Sequence, residues 1–226
     1  MCFSASASFG AGLILSTIGV ASIKRAQKPS QLLFAGIPLI FAVQQVSEGF
    51  VWLSLSNPAY ASFEMPATYI FLTFAQIIWP VYIPYAIYLF EKEEKPKKIQ
   101  KIFVGIGLLV GAYFLYCLLS FHVRASIVGQ HIFYDQIYPE SLRVAGTLFY
   151  IIATVMPSFF SKIIRMWTFG ATVLISYVIT NIFYEAYVIS VWCFFATIVC
   201  VSVYTILLEM NKTPYFIAQN TNFLRG

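Results

Sequence analysis

The chain has 226 residues, 60% of them hydrophobic and only 10% charged, where a soluble domain carries about 25% charged residues. That leaves too little polar surface to cover a soluble globule and defines an all-α, polytopic membrane protein. The net charge of +5 does not point to nucleic acid, because the basic residues fall almost entirely in short connections between apolar runs.

Seven apolar runs have the length, about 20 residues, that a membrane helix needs. They cover residues 4–23, 32–55, 67–90, 102–121, 142–160, 166–184 and 187–208. A single seven-helix transmembrane domain over 1–210 and a short tail over 211–226 follow from this. The first run has no basic n-region before it, so it reads as a retained span rather than a signal peptide. In it Ser4, Ser8, Gly12 and Ser16 repeat every four residues, a smooth stripe that allows close helix contact in lipid. Gly107 and Gly111 do the same in the fourth run. Pro38, Pro80, Pro84 and Pro157 lie within or near the ends of spans, where they can kink helices and free carbonyls. The loop 122–141 holds both histidines, and "IVGQHIFYD" alternates enough for a short hairpin or an interfacial segment.

Charge sets the expected orientation. The first, third and fifth connections, with the tail, carry 12 of the 14 basic residues. By the positive-inside rule they are cytoplasmic. The N-terminus is then outside and the C-terminus inside a cell inner membrane. Cysteine usage adds little: Cys2, Cys117, Cys193 and Cys200 form no CxxC pair, and a disulfide framework is not expected.

The unusual stretch is "GIPLIFAVQQVSEGFVWLSL", residues 36 to 55. Glu48 lies about 7 Å from the centre of that span at 1.5 Å per residue, still inside the hydrocarbon. A charge exposed to lipid there is costly, so the acid is expected to face the bundle interior and mark a site. Gln44 and Gln45 share its side of the helix. Gln76 in the third run, Thr147, Tyr150 and Thr154 in the fifth, and Ser190, Cys193, Thr197, Cys200 and Tyr204 in the seventh form polar stripes. Facing inward, these stripes would meet in a cavity open to the outer leaflet. Cys2 falls at the same end. If Met1 is removed, its thiol and amine sit on one residue and can act as a nucleophile or bind a metal. In the outer loop His131 could serve as base with Asp135 orienting it, beside Tyr134. Arg143 could hold a substrate anion.

"MCFSASASF", "PLIFAVQQVSEGFVWL", "WPVYIPYAIYLFE", "GQHIFYD" and "SVWCFFATIVCVSVY" resemble, end to end and in order, an uncharacterised bacterial family of small multi-span membrane proteins. Members of that family begin with a close variant of MCFSATASF. The resemblance implies a seven-span fold and no particular activity. It draws attention to Cys2, Gln44, Gln45, Glu48, Trp79, Pro80, His131, Tyr134, Asp135, Trp192 and Cys193. Other seven-span families fit less well. Residues 187–208 contain no lysine for retinal. A three-histidine zinc site of the alkaline-ceramidase kind would need Cys2 or an acid as substitute ligand, because only two histidines are present.

Two functions follow as expectations. One is an enzyme acting on a lipid or amphipathic small molecule at the outer leaflet. Cys2, His131, Glu48 and Asp135 would be its catalytic residues, and Gln44, Gln45, Gln76, Tyr134, Arg143, Trp79, Trp192 and Cys193 its substrate wall. The other is a small-molecule, proton or metal-ion binding or transport protein built on Glu48. A zinc or copper site from Cys2, His131 and Glu48 would bridge the two.

Overall fold

The computed structural model describes residues 4–223, without side chains at 194 and 212–223. Helix α1 (Ala5–Arg25) starts on a cap that the sequence supplies: Ser4 Oγ accepts the Ala7 N–H at 3.2 Å. It ends on Lys24 and Arg25, cations placed favourably at a helix C-terminus. Its small-residue stripe, with Ser8 and Gly12 buried, packs against α2 (Leu32–Ser56).

The third apolar run, Pro58–Phe90, is not one regular helix. It consists of α3 (Glu64–Leu72), a π-helical turn over Thr73–Ile78, and α4 (Trp79–Phe90). In the π turn the Trp79 N–H reaches back five residues to the Phe74 carbonyl. The next bond in that register would run from residue 80 to the Ala75 carbonyl, and Pro80 has no N–H. The Tyr150 hydroxyl supplies the missing proton, donating to the Ala75 oxygen at 2.6 Å. Tyr150→Phe should therefore lower stability by about 1–3 kcal/mol through an orphaned carbonyl, read as a drop in the thermal midpoint in detergent. An unchanged midpoint would remove this account of the kink.

Helix α5 (Glu94–Ser120) lies against that kink. A Cβ added at Gly107 would overlap the Pro80 carbonyl, so the GxxxG pair is used within the chain. After α5 comes a hairpin of β1 (Val123–Val128) and β2 (His131–Gln136), paired Val128 to His131. Gly129, at φ +63, takes the first of its two turn positions, where a left-handed backbone matches the strand twist.

Helix α6 (Glu140–Phe159) and helix α7 (Met166–Phe183) follow. The short join between them is held by Glu91, buried at the end of α4. Its carboxylate accepts from Ser161 Oγ at 2.8 Å and from the Lys162 N–H at 3.0 Å. Hydrogen bonds to a charged group contribute about 1.5–3 kcal/mol each. Glu91→Ala should thus cost at least about 2 kcal/mol and raise proteolysis at 161–165, whereas a surface control such as Glu94→Ala should do neither.

The seventh run corrects the expectation of a continuous helix. Helix α8 (Val188–Val191) and helix α9 (Ala196–Phe223) are separated by a 3-10 turn over Trp192–Phe195. The stretches Glu185–Val191 and Ala196–Asn211 on either side of it are bent by 48°. Three side chains of this segment bond to two helices: Ser190 to Glu48 and Cys193 to Gln44 on α2, and Trp192 to Ser176 on α7. Helix α9 also runs on to Phe223, into the segment expected as a tail.

Among the described residues six helical stretches are long and apolar enough to cross a membrane, and a seventh if the bent pair counts as one. The larger core gathers Phe34, Phe90 and Phe169 where α2, α4 and α7 meet. A smaller one lies under the hairpin, with Trp52, Phe71, Ile132, Tyr134 and Cys193. Ala5, at the start of α1, packs against that second cluster.

Candidate functional site

Between α4, α6, α7 and the start of α9 lies a cavity of about 640 Å³. Its long walls are helical faces read at every third or fourth residue. On α6 they are Arg143, Thr147, Tyr150 and Thr154; on α7 they are Phe169, Val173, Tyr177 and Asn181. From Phe169 to Asn181 at 1.5 Å per residue the wall is about 18 Å tall. The mouth, at the hairpin end, carries the exposed Arg143, Asn181 and Glu185. The floor is apolar, with Phe169, Ala196 and Val199.

Six of the eight expected wall residues line this cavity: Gln44, Gln76, Trp79, Arg143, Trp192 and Cys193. Their hydrogen bonds fix most of them. The Trp79 indole can only donate, and it donates to Gln44 Oε1 at 2.7 Å. That turns the Gln44 amide nitrogen to Cys193 Sγ, 2.9 Å away. The Cys193 thiol in turn points its proton at the Ile189 carbonyl, 3.5 Å away. Trp79 also stacks on Phe41, with ring centroids 4.0 Å apart. Gln76 Nε2 donates to Gln136 Oε1 and to the Tyr138 hydroxyl, both at 2.8 Å. The wall of the cavity is thus tied directly to the hairpin.

Glu48 and Gln45, both fully buried, lie beside this cavity rather than in its lining. Glu48 Oε1 accepts from Ser190 Oγ at 2.5 Å, and Oε2 accepts from Gln45 Nε2 at 3.4 Å. The expectation that the acid faces the bundle interior holds. Ser190 and Cys193 sit one turn apart on the broken helix, so one short segment joins Glu48 to the cavity wall.

The hairpin residues separate. Tyr134 is buried, its ring stacked on Phe71 at 5.0 Å. His131 sits at the other end of β2 against Tyr187 and Tyr184, 4.8 and 5.3 Å between ring centroids. Burial lowers its imidazole below the ordinary histidine value. Asp135 is exposed and paired across the ladder with Arg124. It lies four positions along the strand from His131, about 13 Å, so the geometry does not have Asp135 orient that histidine. Cys2 lies outside the described residues. Among the described residues no group of three or more His, Cys, Asp and Glu side chains is gathered for a metal. A zinc or copper site would have to draw on Cys2.

Some residues were missed from the sequence. Gln136 and Tyr138 accept the two bonds from the Gln76 amide nitrogen. Tyr177 and Asn181 follow Val173 at helical spacing, and that stripe could have been read as a polar face. Gln100, buried, donates to the Pro157 carbonyl at 2.8 Å and has a purely structural part.

Long apolar helices with their polar groups gathered inside fit a helical membrane protein. The profile of DUF6629, a family of unknown function, matches residues 1–216, and the chain belongs to that family. No curated protein and no solved structure matches it.

Proposed function

We propose that this is a seven-span inner-membrane protein, N-terminus outside and C-terminus cytoplasmic, which takes a lipid or amphipathic small molecule into its cavity from the outer leaflet. The observation that carries the reading is the shape of the chamber: about 640 Å³, apolar at the floor and polar at the mouth. Pockets of this volume suit small-molecule ligands, and convergent polar groups fix their orientation. The charge rule supports the sidedness, since the mouth lies at the end opposite the lysine-rich connections.

The enzymatic form of the reading keeps Cys2 as nucleophile or metal ligand, His131 as base, and Glu48 as the buried acid. Ala5 packs on the cluster of Trp52, Tyr134 and Cys193. The alternative gives Glu48 a proton or cation to carry, and its complete burial favours that reading. The two separate cleanly: Cys2→Ser should abolish turnover in the first and leave uptake intact in the second, where Glu48→Gln should abolish it.

The shared claim is tested by extracting the purified protein with solvent and weighing what comes out. A stoichiometric amphiphile is expected, and Ala196→Phe, which fills the floor, should reduce it several-fold. Equal recovery from both proteins would contradict the chamber.

A further inference from the structure

The mouth of the cavity carries one cation and one anion on different elements, Arg143 on α6 and Glu185 just past α7. Neither is joined to an opposite charge among the described residues. Below them three aromatic rings border the same space. The Trp192 ring stands edge-on to Tyr150 and Tyr177, with centroids 5.9 and 5.3 Å apart. Two of the three are held before any ligand arrives: the Trp192 indole N–H donates to Ser176 Oγ at 2.8 Å, and the Tyr150 hydroxyl donates to the Ala75 carbonyl.

An aromatic box under an acid is the arrangement that attracts an ammonium group, and quaternary ammonium most of all, because ring faces are negative and the site is drier than the surface. An arginine at the same mouth answers a phosphate or carboxylate. We infer that the cavity selects an amphiphile with a zwitterionic head, its ammonium toward Tyr150, Tyr177, Trp192 and Glu185, its anion toward Arg143, and its tail on the apolar floor. This rests on the amphiphile-binding reading and adds the class of head group.

The test holds the tail constant and varies the head. Protein in phosphatidylglycerol nanodiscs is titrated with dodecylphosphocholine, dodecyltrimethylammonium, dodecyl phosphate and dodecyl maltoside, and tryptophan fluorescence is followed. Amounts are counted as mole fraction in the disc, so that partitioning into the bilayer cancels. Dodecylphosphocholine should bind at least tenfold tighter than the other three. Arg143→Gln should shrink its advantage over dodecyltrimethylammonium below threefold, and Glu185→Gln its advantage over dodecyl phosphate. Both positions are exposed, so folding should survive. Equal affinities, or a preference for a singly charged or neutral head, would overturn the inference and leave an amphiphile chamber standing. Saturable binding by none of the four would overturn the inference together with the reading beneath it.

Discussion

Glu48→Ala is expected to lower stability by about 2–5 kcal/mol, because it strips partners from two groups in the dry interior at once. The Ser190 hydroxyl loses the acceptor at 2.5 Å, and the Gln45 amide loses its own at 3.4 Å. Glu48→Gln behaves differently. Its carbonyl oxygen still accepts from Ser190. Its new amide proton is met by Gln45, whose Oε1 is buried without a hydrogen-bond partner among the described residues, once the Gln45 amide turns over. The two variants should therefore differ by at least about 1.5 kcal/mol in unfolding free energy, the upper end of a net hydrogen bond. Equal losses would mean that the carboxylate is kept for its charge, and that the hydrogen bonds to Ser190 and Gln45 contribute little.

Gly107→Ala should be more damaging still, at about 4 kcal/mol or beyond, or should yield no folded protein. The added methyl would overlap the Pro80 backbone carbonyl, and backbone at a proline kink cannot swing aside as a side chain can. Gly105, two residues earlier on α5, meets nothing within 4 Å. Gly105→Ala should be neutral or stabilising by up to about 1 kcal/mol, as a helix-interior glycine replaced by alanine usually is. The pair is read by yield and thermal midpoint in one detergent. If Gly105→Ala destabilised as much as Gly107→Ala, the loss would come from the lipid face of α5 and not from its contact with α4.

The long helices were legible because length and apolarity decide them. The expected spans 32–55 and 166–184 match α2 and α7 nearly residue for residue. The break at Trp192 was not legible, since no glycine or proline marks it. It falls where Ser190 and Cys193 bond to α2 and Trp192 bonds to α7, contacts that local sequence cannot express. Burial of Glu48 was read correctly from the cost of a charge in hydrocarbon. The His131 and Asp135 pair failed for a geometric reason: a spacing of four brings side chains together on a helix and spreads them along a strand. Gln136 escaped notice because a polar residue near a loop reads as solvated, and only the fold turns it toward Gln76.

The occupancy of the cavity is the claim on which the functional account stands, and Trp79 reports on it directly. Trp79 lines the cavity and is 5% exposed, whereas Trp167 is 60% exposed and outside it. A protein with Trp79 as its sole tryptophan is titrated with an amphiphile whose tail is brominated, beside one that keeps Trp167 alone. The account predicts saturable quenching of Trp79, relieved by an unbrominated competitor and lost in Ala196→Phe. Quenching of Trp167 with Trp79 untouched at every concentration would contradict it.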